Sequence, residues 1–235
     1  FIIDFSKNSK FKKNKYSYRI SIGKFGKILN LIKEKKSKKV LFAGKIAKPK
    51  FSSLRLDLKG IYYMPSVIKA AKKGDAAIIK AIIKILSHEG IKAISSIYFN
   101  PELALKSGIY TKLKPNNKDS VSINTGIKYF NKLNDLDHVQ AIIVKDNKVI
   151  AKEGIEGTRK MLAKLKKKTQ GVLIKFPKKK QDLRMDLPTI GLQTIKDCKK
   201  YGLVGIILKS KKNIILDKAK CINFANKNKI FIKVI

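Results

Sequence analysis

The 235 residues contain no tryptophan, two histidines and two cysteines. Two histidines are too few for the several imidazoles and Asn-His motifs with which calcineurin-like phosphoesterases hold a metal pair. Cys198 and Cys221 have no metal-ligand spacing, and nothing else suggests an exported disulfide scaffold, so a reducing cytoplasm is the simplest home. There is no Gly-x-x-x-x-Gly-Lys-Ser/Thr loop, which excludes P-loop chemistry. No Glu-rich helix with an Arg-Glu pair is present, which excludes a Nudix hydrolase. No serine or cysteine lies in a nucleophile motif. Apolar runs long enough to span a bilayer are missing too: the greasiest stretch, 76–86, is interrupted by Lys80 and Lys84. The chain opens at Phe1 instead of Met, in a strand-like Phe-Ile-Ile-Asp-Phe run without signal-peptide architecture, which suggests that a segment precedes it.

Acidic side chains are scarce as well, 16 against 55 Lys and Arg, for a formal net charge of +39. Arginine is limited to Arg19, Arg55, Arg159 and Arg184, although nucleic-acid readers lean on arginine forks. Lysine, isoleucine and asparagine are inflated together along the whole chain, which fits the drift of an AT-rich genome better than a built basic patch. The charge therefore argues only weakly for nucleic acid. An anionic substrate or an anionic membrane surface is equally compatible with it.

Hydrophobic content of 44% indicates a globular chain, long enough for one large domain or two small ones. The first half reads as strands at 2–5 and 18–21, a helix at 24–34 and a strand at 39–43, the order expected of a parallel sheet with a right-handed crossover. Gly44-Lys-Ile-Ala-Lys-Pro49 follows that strand at its carboxyl end, where open α/β sheets bind ligands, and an ordinary βα turn has the same composition. Pro65 and Asp75 are expected to begin two helices, followed by a strand at 91–94. Periodicity lapses over 95–115, around Pro101, Gly108 and Pro115, which reads as a connection between domains.

The second half continues the alternation. A helix is expected at 121–133, then a hairpin of 139–144 with 149–151 around Asp146-Asn-Lys148, and a helix capped by Thr158. A strand at 172–176, a helix capped by Thr194, and strands at 204–208 and 214–216 paired with each other come next. Asp217 starts the last helix, and a strand at 230–234 closes the sheet.

Three stretches carry chemistry. From Asp182 to Leu187 polar and apolar residues alternate strictly, and Pro188 disfavours helix for Leu187, so an extended backbone puts Asp182, Arg184 and Asp186 on one face. Two carboxylates suit Mg²⁺ and a guanidinium suits phosphate, while a self-neutralising charged ladder on a plain strand has the same pattern. The loop Glu153-Gly-Ile-Glu-Gly-Thr158 offers two carboxylates and amide donors at a helix start, as a phosphate site or as a plain capped helix. At a strand mouth, Asp137 is a candidate metal ligand and Gln140 a candidate uracil or sugar contact, with His138 between them.

Taken together, Ala43-Gly-Lys-Ile-Ala-Lys-Pro49, Gly74-Asp75, Leu136-Asp137 with Gln140-Ala141, Glu153 with Glu156-Gly-Thr158, and Lys180-Gln-Asp-Leu-Arg-Met-Asp-Leu-Pro-Thr-Ile-Gly191 resemble the LpxI-type UDP-2,3-diacylglucosamine pyrophosphatases of lipid A synthesis, in order as well as in letters. The resemblance implies an α/β protein of two sub-domains: an incomplete Rossmann-like layer over 1–113 and a mixed α/β catalytic unit over 114–235, with substrate between them. It places the family's first strand and Gly-rich loop upstream of Phe1. It further implies Mg²⁺-dependent hydrolysis to UMP and 2,3-diacylglucosamine 1-phosphate, with attack at the phosphorus next to the sugar.

The implied catalytic residues are Asp186, Asp182 and Arg184, and the implied metal ligands Asp186, Asp182 and Asp137. Substrate contacts fall on Glu156, Gly157, Thr158, Gln140, Thr189, Lys45 and Lys48. This sequence departs from the family pattern at Arg159, where an acidic residue is expected, at Lys48, where arginine is expected, and at Val139, where glycine is expected. The implied setting is cytoplasmic, peripheral at the inner membrane on anionic lipid, with no specific nucleic acid, and a homodimer is allowed. A nucleotide-sugar binding protein without turnover and a basic nucleic-acid-binding protein are the rival readings.

Overall fold

A computed structural model of the chain describes residues 1–6, 11–44, 50–133, 139–179, 181–184 and 187–235, without the side chains of 75 and 76. The chain divides into two compact units, Phe1–Ser96 and Ile97–Ile235. Both are mixed α/β.

In the first unit the elements are β1 (Ile2–Asp4), β2 (Ser17–Arg19), α1 (Phe25–Glu34), β3 (Lys39–Leu41), α2 (Leu58–Ala71), α3 (Asp75–His88) and β4 (Lys92–Ile94). β1 pairs with β2 and β3 with β4, both in parallel. α1 buries Ile28, Leu29, Leu31 and Ile32, the i, i+3, i+4 stripe of a surface helix, against Leu86 and Ile91.

One carboxylate organises two of these helices. Asp57 caps α2 by accepting from Gly60 N (2.8 Å) and reaches the first turn of α1, accepting from Gly26 N and Lys27 N at 3.0 Å each. Partial burial pushes its pKa up, but the three backbone donors outweigh this and hold it below the usual value. The cap also explains why α2 begins at Leu58 and not at Pro65, which lies inside the helix. Pro65 deprives the Ile61 carbonyl of its helical donor, and Ile61 is 58% exposed, so solvent can satisfy that oxygen.

At the end of α3, Glu89 collects Lys33 from α1 (2.7 Å) and both Lys59 and Tyr63 from α2. With its side chain 11% exposed, these partners, Lys33 first and then Lys59, lower its pKa to about 2.

The second unit contains β5 (Gly108–Ile109), α4 (Asn117–Lys132), β6 (Ala141–Lys145), β7 (Lys148–Lys152), α5 (Thr158–Ala163), β8 (Val172–Lys175), β9 (Thr189–Ile190), α6 (Leu192–Lys200), β10 (Gly205–Leu208), β11 (Ile214–Ile215), α7 (Lys218–Lys227) and β12 (Phe231–Val234). Its sheet has six strands in the order β5-β12-β10-β8-β6-β7. The central β8, β10 and β12 are parallel, and β5, β6 and β7 flank them antiparallel to their neighbours. The stretch 95–115, expected as a bare connection, therefore supplies an edge strand.

Alternation along the strands sorts the core into two layers. Ala141, Ile143, Leu173, Ile206 and Ile232 face Met161, Leu162, Ile195, Cys198 and Cys221 of α5, α6 and α7. Ile142, Val144, Val172, Ile174 and Ile207 face Ile123 of α4. Gly126 lets α4 approach the sheet closely: a Cβ there would lie 2.1 Å from Ile174 Cδ1 and 3.1 Å from Val144 Cγ2. The β6–β7 turn is as expected, with Asp146 and Asn147 both at positive φ, 46° and 62°.

Two expectations are corrected. β11 pairs with β9 and not with β10, because the buried Asn213 accepts from Lys209 N (2.8 Å) and donates to Pro188 O (3.2 Å), pinning this loop to the chain before β9. α6 takes Gly191 as its N-cap, leaving Thr194 inside the helix.

Candidate functional site

The carboxyl end of β8 is the centre of the candidate site. In register across the sheet, Lys175 stands opposite Ala141 of β6 and Leu208 of β10. Because β6 runs antiparallel to β8, its amino end lies at the same edge. Beyond β7, Glu153 N donates to Ala141 O (2.8 Å), so Glu153, Ala141 and Lys175 form one row across three strands. Strand parity places the side chains of Ala151 and Leu173 on the α5 layer, and Glu153 and Lys175, two residues further on, repeat it.

There the two charged side chains meet through Thr158. Lys175, 9% exposed, donates Nζ–H to Thr158 Oγ1 (2.7 Å), and Thr158 donates its hydroxyl to Glu153 Oε1 (2.8 Å). Glu153 Oε2 is buried and has no hydrogen-bond partner. Thr158 is the first residue of α5, and the N-cap expected of it falls to Gly157, whose φ of 84° suits glycine. With its backbone relieved of capping, the threonine hydroxyl is committed to Glu153.

Glu156 turns outward. It pairs with Lys160 (2.7 Å) and Lys164 (3.2 Å), which lower its carboxyl pKa. An open groove of about 340 Å³ runs between β7 and α5, lined by Ile150, Ala151, Gly154, Gly157, Met161 and Leu165 among others. Arg159 lies on the surface, 80% exposed, with Nε 3.9 Å from the Asp197 carboxylate of α6.

The Gln-Asp-x-Arg segment reaches the same edge from the other side of Lys175. Gln140 donates Nε2–H to Gln181 Oε1 (2.7 Å), which also accepts from Lys178 N (2.9 Å), and Phe176 N donates to Gln140 O (2.9 Å). Residues 183 and 184 form a turn, not the expected strand. Asp182 closes it: Oδ1 accepts from Arg184 N (3.0 Å) and Nε (2.9 Å), and Oδ2 accepts from Arg184 Nη2 (2.6 Å). A short-range Asx turn with a guanidinium fork thus prevails over the alternation, because it satisfies carboxylate, amide and guanidinium together. Asp182 and Arg184 do stand side by side, as expected.

Thr189 lies in β9 and donates to Leu187 O (2.7 Å). Lys45, Lys48, Asp137, His138 and Asp186 lie outside the described residues. Among the described residues no group of three or more His, Cys, Asp or Glu side chains could hold a metal ion. The two thiols are structural: burial pushes both up in pKa, and Cys221 donates to Leu216 O (3.1 Å).

Sequence reasoning missed Lys175. It reads as the polar end of an apolar strand in a lysine-rich chain. Its signal was strand parity, which sets it two residues after Leu173 on the same face, near a loop already rich in polar groups. Asn213, the fully buried anchor of Pro188, gave no comparable signal.

Residues 106–233 match the LpxI C-terminal domain and residues 1–103 the LpxI N-terminal domain. The chain belongs to the LpxI family. It is 31% identical over 223 residues to the UDP-2,3-diacylglucosamine pyrophosphatase LpxI of Caulobacter vibrioides, covering 91% of this chain and 80% of that protein. The two LpxI domain matches divide the chain between residues 103 and 106, while its compact units divide at Ser96/Ile97. In this LpxI chain, the Glu-Gly-Thr motif meets the end of β8 through Thr158 and Lys175, and the Gln-Asp-x-Arg motif meets the start of β6 through Gln181 and Gln140.

Proposed function

We propose that the protein hydrolyses the pyrophosphate of UDP-2,3-diacylglucosamine, giving UMP and 2,3-diacylglucosamine 1-phosphate in lipid A synthesis, with Mg²⁺. The observation that carries this reading is the convergence just described. Lys175 ties Thr158 and Glu153 to the end of β8, and Gln140 ties Gln181, next to Asp182 and Arg184, to the start of β6. Carboxyl ends of parallel strands are where open α/β sheets bind phosphorylated ligands.

Arg184 is half exposed and already folded over Asp182. A substrate phosphate offers the same fork a second bidentate acceptor, and moving onto it would release the Asp182 oxygens. The guanidinium then neutralises charge that grows as the P–O bond breaks. Gln140, amide to amide with Gln181, is proposed to read the uracil or sugar, with Thr189, Glu156 and Gly157 as further substrate contacts.

Carboxylate oxygens suit Mg²⁺, and Glu153 keeps a buried oxygen without a protein partner at this edge. Asp186, Asp182 and Asp137 are the residues that would hold the ion. Bound there, Mg²⁺ supplies charge neutralisation at the pyrophosphate oxygens. Lys45 and Lys48 are proposed as further substrate contacts.

The protein is proposed to work in the cytoplasm at the inner membrane, drawn to anionic lipid by its charge of +39. Among the described residues no helix is long and apolar enough to cross a membrane.

Phosphorus-31 NMR of the protein with UDP-2,3-diacylglucosamine, with and without Mg²⁺, tests the reading. UMP and a sugar 1-phosphate are expected with Mg²⁺ only. Binding without UMP would favour a nucleotide-sugar binding protein. Hydrolysis in ¹⁸O-water reports the phosphorus attacked, and label in the sugar phosphate is expected.

A further inference from the structure

Glu153 presents a specific imbalance. Lysine ammonium can only donate, and the threonine hydroxyl carries one proton. With Lys175 donating to Thr158, that proton goes to Glu153 Oε1, and the carboxylate is thereby oriented by a chain of two hydrogen bonds that ends on the Lys175 ammonium. Its other oxygen, Oε2, is sealed from solvent and accepts nothing from the protein. A carboxylate oxygen in that condition costs free energy unless something other than the chain binds it. Asp57, by contrast, has both oxygens satisfied by its three backbone donors.

We infer that Glu153 Oε2 is a direct ligand of the divalent cation, with Thr158 and Lys175 as positioning residues behind it. The arrangement has the form of a ligating carboxylate whose distal oxygen is hydrogen-bonded to fix its orientation, the usual support of a metal ligand. A hard anionic oxygen at this place suits Mg²⁺, which completes its octahedron with water and substrate phosphate. The neighbouring ammonium keeps the local charge balanced when the site is empty. This inference rests on the Mg²⁺-dependent reading and adds a residue to its ligand set.

The test is Mn²⁺ binding to the full chain without substrate, followed by the loss of the free-ion signal in electron paramagnetic resonance. The wild type is expected to bind, and Glu153→Gln, which keeps shape and loses charge, to bind about tenfold or more weakly. Thr158→Val and Lys175→Met are expected to weaken binding by about tenfold, and Thr158→Ser, which restores the hydroxyl, to recover it. Should Glu153→Gln fail to fold by circular dichroism, Glu153→Asp serves instead: it keeps the charge but withdraws the oxygen by one methylene, and an intermediate affinity is expected.

Wild-type affinity in the Glu153 variant that folds, or no Mn²⁺ binding by the wild type, overturns the inference. A lower melting temperature with unchanged Mn²⁺ affinity does the same, by showing a purely structural carboxylate. Phosphorus-31 NMR on the same wild-type preparation, with Mg²⁺ in place of Mn²⁺, separates the two claims: UMP formation with Glu153 dispensable for Mn²⁺ sinks the inference alone, whereas absence of UMP sinks the activity.

Discussion

Glu89 joins the side chains of three helical segments through one carboxylate, and its behaviour with pH follows from that. Its folded pKa of about 2 lies below the ordinary 4.5, with the hydrogen bond from Lys33 as the first cause and that from Lys59 next. A depressed carboxyl pKa contributes stability that is complete above the unfolded value and is lost as pH falls from about 4.5 toward 2. Glu89→Gln is expected to lower the stability of the first unit by about 1–3 kcal/mol at neutral pH, toward the low end because Lys33 is half in solvent. Urea midpoints of variant and wild type, measured from pH 7 downward, should converge as Glu89 titrates. A gap that stays constant to the lowest pH would contradict this account.

Arg184 belongs to the same local level. Its fork is planar and bidentate on Asp182, so lysine cannot replace it. Arg184→Ala and Arg184→Lys are both expected to lower kcat for UMP release by about 10²–10³-fold, the cost of removing one preorganised donor to developing charge. Near-wild-type turnover in Arg184→Lys would show that only a point charge is needed.

Among the elements, α4 is the most sharply constrained by its neighbours. Gly126 is out of place in a helix on propensity alone, but the fully buried Ile174 and Val144 leave no room for a methyl group. Gly126→Ala is expected to destabilise the second unit by about 1–2 kcal/mol, overpacking exceeding the gain in helix propensity. Thermal unfolding measures it, and a rise in melting temperature would mean that the sheet yields. The sequence pattern could not reveal this contact, because Gly126 and Ile174 are distant along the chain. The turn at 183–184 failed to show for the opposite reason. The decisive interaction, Asp182 with the backbone and side chain of Arg184, is more local than the period-two pattern that pointed to a strand.

At the level of the whole molecule, charge is the dominant property. A net +39 attracts any anionic surface, and such attraction is screened as the Debye length falls from about 10 Å at 0.1 M salt to about 3 Å at 1 M. Cosedimentation with phosphatidylglycerol vesicles is therefore expected at low salt and to be largely lost near 1 M, with little binding to neutral phosphatidylcholine. Binding that survives high salt would indicate apolar insertion instead. Retention on duplex DNA serves as the control, and a shallow salt slope is expected.

The alternation of elements, the β6–β7 turn, the buried strands β8, β10 and β12 and the motifs themselves were legible in the chain, because each depends on neighbours a few residues away. Apolar runs bounded by glycine and turn residues form strands wherever they fall, and Asp146-Asn147 tolerates the left-handed turn on its own account. Partnership was not legible in that way. That β11 joins β9, that Gly126 must be glycine, and that Lys175 points at Thr158 and Glu153 were decided by packing. Burial and strand pairing are properties of residues brought together from far apart. A lysine that looks like every other lysine in this sequence becomes distinct only once the sheet encloses it.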